Sequence, residues 1–277
     1  MQRSWSNLYK ADVFHCGHRL HKHDERGTSA WHILKYKGCY PDGCISFNWR
    51  CRLFDQRRKC HRNKKHVGRE CFSCKYFYEE KNVFQPEVMV GEAELKEFQR
   101  NFIEFEEWVG ELTGRRIEIR GRISRVMPHL VMRGDQSRHV TAGGILLYFR
   151  EGIFGYDRFV DPFYAIASTG VYERARVVAG DEIDFKAELR IDRGRFVFRR
   201  VGGVEVVNSN GGEPVPAASL LQSRFTGSII EGQPGKCLRC IHGLLLDHQA
   251  NDGRSRPRRM MYCTKGIADY RYCPYRE

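Results

Sequence analysis

The residues best equipped for chemistry are cysteines, eleven in a chain of 277. Near the C-terminal end, Cys237-Leu238-Arg239-Cys240 is followed by Cys263 and Cys273, a C-x2-C-x22-C-x9-C spacing. A C-x2-C turn offers two sulfurs from one corner, and thiolates are the soft anionic ligands taken by zinc and by iron–sulfur clusters. The second C-x2-C corner of a zinc ribbon is missing. That departure favours a [4Fe–4S] cluster at this quartet, with Zn²⁺ as the alternative. Tyr262, Tyr270, Tyr272 and Tyr275 flank the later cysteines and are expected to shield the site. Thiol redox chemistry at Cys237 and Cys240 is disfavoured, because such a pair usually opens a helix in a βαβ context that the sequence lacks.

The other seven cysteines precede residue 115. One partition assigns Cys51, Cys60, Cys71 and Cys74 to a four-sulfur site, and Cys16, Cys39 and Cys44 with His18 to a three-sulfur, one-nitrogen site. Pro41-Asp42-Gly43 is turn chemistry that brings Cys39 and Cys44 to one side of a tight loop. Residues 1–86 show little hydrophobic periodicity, and a segment that buries little apolar surface commonly depends on metal. An odd cysteine count argues against a disulfide framework, and in a reducing compartment this spacing points to metal. His21-Lys22-His23-Asp24 departs from the His-x-His-x-Asp-His of metallo-β-lactamase-type hydrolases, since Asp24 follows His23 directly with no histidine after it. No phosphate loop, nucleophile elbow or carboxylate cluster is present either, so no catalytic residue is assigned and an enzyme is not expected.

The scaffold between these ligands is a cysteine-free stretch, 115–207. Ile183, Phe185, Ala187, Leu189 and Ile191 alternate with Asp184, Lys186, Glu188 and Arg190, the period-two signature of a half-buried strand. Asp192-Arg193-Gly194 supplies a turn with a residue free to take positive φ, so a hairpin follows through Phe198. Further strands are expected at 115–126, 144–150 and 161–168, with 127–143 as a flexible basic loop. Before them, Leu95, Phe98, Phe102, Phe105, Val109 and Leu112 recur at helical steps over 92–112, opposite Glu94, Glu97, Glu104, Glu107 and Glu111. Gly114 stops that helix.

Five strands in about ninety residues resemble an OB-fold, the five-stranded, partly open barrel; the pattern alone carries the resemblance. The expected fold class is mainly β with one amphipathic helix: an OB-like five-stranded barrel flanked by cysteine-rich metal-binding modules. The boundaries follow as a basic Cys/His-rich module at 1–86, an acidic helix at 87–114, the barrel at 115–207, a linker at 208–236 and a four-cysteine module at 237–277. The resemblance implies a ligand across the second and third strands, where Tyr148, Arg150, Phe163 and Tyr164 fall, with Arg120, Arg122, Arg190, Arg195 and Arg199 nearby. Aromatic rings stack bases and arginines neutralise phosphates, although alternation turns part of such a set into core.

Charge points the same way. The chain carries +13, with +10 over 1–86, −6 over 87–114, +5 over 115–206 and +4 over 207–277. Such an excess favours a polyanionic partner, nucleic acid first and an anionic membrane surface second. No apolar run nears the roughly 20 residues of a membrane span, and the first ten residues have no secretory-signal core, so a cytoplasmic protein is expected. The leading expectation is a protein that binds single-stranded or structured RNA or DNA. The rival is an iron–sulfur redox or electron-transfer protein that uses the barrel as a scaffold and its charge to dock an acidic protein partner.

Overall fold

In the computed structural model, residues 2–17, 29–133, 139–230, 235–249 and 258–275 are described. The chain divides into two units, Leu8–Phe105 and Met1–Asn7 with Glu106–Glu277. Strand β1 (Ser4–Trp5) opens the chain. The unit Leu8–Phe105 then holds β2 (Phe14–His15), β3 (Cys44–Cys51), the short helix α1 (Arg52–Asp55), β4 (Phe77–Phe84) and β5 (Glu87–Val88). β2 pairs with β5, while β3 runs antiparallel to β4 from the Cys44–Phe84 pair to the Cys51–Phe77 pair. The long helix α2 (Glu92–Leu112) follows, and the division between the units falls within it. Its apolar stripe forms as expected: Phe98 meets Phe14, and Phe102 and Phe105 meet Tyr9, all edge-on at 5.0–6.2 Å.

The last turns of α2 belong to the other unit, where Trp108 is its largest buried side chain. Trp108 stacks with Trp5, Phe154, Phe159 and Phe196 at 5.3–6.1 Å. The N-terminal arm is tied in place beside them. The Asn7 backbone N–H donates to Asp161 at 2.6 Å, and Arg3 pairs with Asp157 at 2.9 Å.

The remaining elements are β6 (Arg116–Arg133), β7 (His139–Phe154), β8 (Asp157–Phe159), β9 (Phe163–Ala167), α3 (Thr169–Ala175), β10 (Glu182–Asp192), β11 (Arg195–Asn208), α4 (Ala217–Leu221), α5 (Ser223–Thr226), β12 (Ser228–Ile230), α6 (Gly235–Arg239), β13 (Gly243–Gln249) and β14 (Arg258–Cys263). The fold is mainly β. Ten strands form one mixed sheet in the order β1-β8-β7-β9-β11-β10-β6-β13-β14-β12, and an additional β6–β7 pairing returns it on itself. The strands β6, β7, β9, β11 and β10 therefore make a closed circuit of pairings, parallel only between β9 and β11. Phe149, Phe154, Phe163, Phe185, Phe196 and Phe198 fill its inner face, and Phe149 lies flat on Phe163 at 4.6 Å.

In β10, Ile183, Phe185, Ala187 and Leu189 are buried while their neighbours point outward, as alternation predicts; Ile191, at the strand end, is half-buried. The β10–β11 turn places both Arg193 (φ 52°) and Gly194 (φ 75°) in the left-handed region. That is the type I′ geometry whose twist matches the flanking strands.

One expectation is corrected. Residues 127–133 and 139–143, read as a loop, are strand, and Leu130 and Met132 are buried there. The adjacent Gly143 and Gly144 looked like loop punctuation. Instead Gly143 leaves room for His129, since a Cβ would lie 2.5 Å from the imidazole Nδ1, and Gly144 (φ +126°) lies at a register shift. A glycine beside a shift of this kind is a bulge, which bends a strand without ending it. The 208–236 linker also contains α4, α5 and β12, and β12 pairs with β14 because Ile230 supplies apolar area to the sheet. Among the described residues no helix is long and apolar enough to cross a membrane.

Candidate metal centres and a tyrosine–arginine face

Cys51 ends β3, and three short turns bring up its companions. In the first, the Asn63 N–H donates to the Cys60 carbonyl at 3.0 Å, with Asn63 at φ 56°. The Arg62 N–H also points at the Cys60 sulfur, 3.4 Å away. In the second and third, the Cys74 N–H reaches the Cys71 carbonyl and the Phe77 N–H reaches the Cys74 carbonyl, at 2.8 and 2.9 Å. Cys51, Cys60, Cys71 and Cys74 line one cavity of ≈ 10 Å³ together with His61, His66 and Phe77. A volume of that order is about one water-sized sphere.

Cys16 and Cys39 are buried to 3% and 2% exposure. The Asp42-Gly43 turn folds back so that the Gly43 N–H meets the Cys39 carbonyl at 2.6 Å. Burial foremost, then a hydrogen bond with Cys44 and the nearness of Cys44 and Cys16, pushes the Cys39 thiol up to about 12. These three sulfurs are thus neighbours. His18, the fourth ligand expected for them, lies outside the described residues.

In the C-terminal group, α6 carries Cys237, and the chain turns at Cys240, where the His242 N–H lies 3.4 Å from the Cys240 sulfur. The Gly243 N–H closes that turn on the Cys240 carbonyl at 3.1 Å. Only glycine fits there, because a Cβ on Gly243 would stand 1.9 Å from the Cys237 carbonyl oxygen. A matching turn follows β14, with the Gly266 N–H on the Cys263 carbonyl at 3.2 Å and Gly266 at φ +78°. So a second cysteine corner exists, built without a second C-x2-C. Burial, followed by the nearness of Cys240, Cys273 and Cys263, raises the Cys237 thiol. Of the tyrosines expected to shield this group, Tyr262 is buried with its hydroxyl on Ser223, Tyr275 packs on His242, and Tyr272 is 81% exposed.

Cys51, Cys60, Cys71, Cys74 and the four C-terminal cysteines are free thiols. Among the described residues, no group of three or more Cys, His, Asp or Glu side chains closes to metal-holding spacing. Cys51, Cys60, Cys71 and Cys74 line shared space without converging on a point. Backbone N–H groups aimed at Cys60 and Cys240 sulfurs are the second-sphere bonds that stabilise a thiolate.

The residues chosen for nucleic-acid contact separate into two sets. Register places Arg125, Tyr148, Tyr164, Val197 and Arg190 in one row across β6, β7, β9, β11 and β10. This row lies on the face opposite the fully buried Phe163, with Tyr148 and Tyr164 half-buried and Val197 buried. The Tyr148 and Tyr164 rings touch at 5.4 Å, and the Arg125 guanidinium lies 5.9 Å over Tyr148. Arg195 shares the face two residues from Val197. Burial pushes its guanidinium below the ordinary value and raises Tyr164, and the nearby cation Arg259 adds to the lowering at Arg195. Asp192, opposite Arg195 in the hairpin, is instead held by Arg259 at 2.6 Å, and Arg259 also takes Asp247 at 2.8 Å. Arg150, Arg190 and Arg199 are exposed. Arg120 and Arg122 stand apart from this face in their pairing, because Asp184 and Glu182 neutralise them at 2.5 and 3.6 Å.

Sequence reasoning missed Arg125, Arg259 and His129. Arg125 had no usable signal, because alternation from buried Ile123 turns it inward, and a register shift between the two reverses its face. Arg259 had none, for its neighbours Asp192 and Asp247 are 67 and 12 residues away. Compared with family models, with curated proteins and with solved structures, the chain matches none.

Proposed function

We propose that the protein binds single-stranded nucleic acid through the outer face of an OB-like barrel, and that its cysteine groups hold structural zinc. The observation that carries this reading is the adjacent, outward Tyr148 and Tyr164 pair bordered by Arg125 and Arg195. Two rings in contact on a rigid sheet offer π-faces to successive bases, and such stacking tolerates any sequence. A half-buried arginine beside other cations gains when an anion arrives, because the anion restores what burial and like charge take away. Arg259 keeps Asp192 and Asp247 occupied, so those carboxylates repel a phosphate less.

The strand circuit supports the barrel. Its order is first-second-third-fifth-fourth-first, with a parallel third–fifth pair and α3 between the third and fourth strands. The tyrosines fall on the second and third strands, where OB-folds take their ligands. Zinc is favoured at Cys51, Cys60, Cys71 and Cys74 because the cavity suits one ion, whereas a four-iron, four-sulfide cube brings eight atoms. There the four thiolates would supply a closed tetrahedral shell, and the metal would stabilise the fold.

The test is anisotropy of labelled oligouridylate and oligothymidylate titrated with the full chain at several salt concentrations, beside metal and sulfide analysis of the same preparation. Binding that weakens steeply with salt, on colourless zinc-loaded protein, is the expected result. Absence of binding at low salt overturns the nucleic-acid reading. Iron, acid-labile sulfide and absorbance near roughly 400 nm overturn the zinc assignment and revive electron transfer.

A further inference from the structure

The hairpin of β3 and β4 exposes side chains that its neighbours do not use. Ile45, Phe47 and Trp49 alternate along β3 and are 50%, 55% and 41% exposed. Across the pair, Val83, Lys81 and Glu79 lie opposite them on the same face. Phe72, 52% exposed, stands edge-on to Trp49 at 4.8 Å and touches Phe77 at 5.2 Å, which holds the indole in place. Contiguous exposed aromatics of this kind mark a binding surface.

We propose that this face is a second stacking platform for single-stranded nucleic acid, located in the Leu8–Phe105 unit. The inference rests on the nucleic-acid reading above and adds a separate site to it. Charge selects the occupant. Residues 44–84 hold eleven Lys or Arg against four Asp or Glu. Three of those four acids are already engaged: Asp55 and Glu80 with Arg50, and Glu70 with Lys64. Among the described residues Arg57, Arg58, Lys59, Lys65, Arg69 and Lys81 form no ion pair. Most of them sit in the cysteine turns that leave β3 at its Cys51 end, two residues beyond Trp49. Flat rings flanked by uncommitted cations are the two components of sequence-tolerant single-strand binding: stacking for the bases and neutralisation for the phosphates. An apolar protein partner would use the rings and leave the cations without a role. Glu79 is the one adverse charge on the face, and it lies opposite Trp49.

The experiment uses the full chain and a fluorescein-labelled oligothymidylate, with zinc content and circular dichroism checked for each variant. Phe47→Ala and Trp49→Ala are each expected to weaken binding by roughly 5- to 150-fold. Glu79→Gln, which removes a repulsive charge from an exposed position, is expected to strengthen it by roughly 2-fold. If wild type binds and Tyr148→Ala or Tyr164→Ala weakens it while Phe47→Ala and Trp49→Ala do not, this platform is refuted and the barrel site stands. If wild type binds nothing at low salt, both readings fail. Should Phe47→Ala and Trp49→Ala leave nucleic-acid binding intact but abolish self-association in sedimentation, the face is a protein interface and the proposal is overturned.

Discussion

Removing the Tyr164 ring is the perturbation that tests the proposed tyrosine–arginine site most directly. The ring is half-buried on the outer face and contacts Tyr148 at 5.4 Å, so both rings present one continuous surface. Loss of one stacked ring costs roughly 1–3 kcal/mol of binding, which is a factor of about 5 to 150 in Kd. The fold itself should tolerate the change, because a cross-strand pair contributes only about 0.2–1 kcal/mol to the sheet. Tyr164→Phe keeps the ring and is expected to bind within about 2-fold of wild type. The Tyr148→Ala, Tyr164→Ala double variant should fall short of the summed single losses, since touching residues couple by roughly 0.5–3 kcal/mol. Arg195→Gln acts on a different quantity: it should lower the slope of log K against log salt by about 0.7, the share of one phosphate contact on a single strand. The assay is anisotropy with labelled oligouridylate at several salt concentrations. Two results would falsify the reasoning: Tyr164→Ala binding like wild type, or Tyr164→Phe binding as weakly as Tyr164→Ala. The second would mean that the hydroxyl, and not stacking, makes the contact.

The other predictions concern the framework. Cys60→Ser is expected to lose about one zinc ion per chain by metal analysis, and an unchanged content would remove Cys60 from the four-sulfur site. Gly243→Ala forces a Cβ to 1.9 Å from the Cys237 carbonyl, so the Cys237–Cys240 turn must open. A lower Tm and loss of the C-terminal metal should follow, and a protein with normal Tm and full metal would contradict that geometry. Trp108→Ala should cost roughly 3–5 kcal/mol in urea unfolding, while Glu104→Ala on the exposed side of α2 stays within about 0.5 kcal/mol. Stability should also fall as pH drops below 6.5, the ordinary histidine value. Burial foremost, aided by Arg199 and Arg259 and opposed by a backbone hydrogen bond with Gly143 and by Asp247, holds the folded His129 pKa lower. The unfolded chain then binds a proton that the folded chain refuses, until the folded value is passed and the slope ends. His129→Gln should flatten that slope in denaturant titrations across the window, and an unaltered slope would exclude His129 as its source. Asp184 and Asp247, whose values are lowered by Arg120 and Arg259, act only at more acid pH.

What was legible in the sequence was local. The alternation of β10, the helical stripe of α2 and the Asp192-Arg193-Gly194 turn are patterns set by neighbouring residues, and each formed where the pattern lay. The cysteine corners are local for a related reason, since short turns place Cys60, Cys71, Cys74, Cys240 and Cys263 where nearby backbone bonds close. Long-range pairing decided the rest. Residues 127–133 and 139–143 became strand because each half finds a partner in the other, and the two glycines that looked like breaks make a close approach and a bulge. Trp108 fell outside the predicted helical stripe, yet it centres an aromatic stack because Trp5, distant in the chain, packs onto it. The tyrosine–arginine face shows the limit most clearly. The face of Tyr148 and Tyr164 is given by alternation, but the register that aligns Arg125 with them is fixed by strand pairing. The engagement of Asp192 by Arg259, 67 residues away, has no local signal at all. Spacing along a chain carries information about turns and faces; it carries none about which distant charge will arrive to balance another.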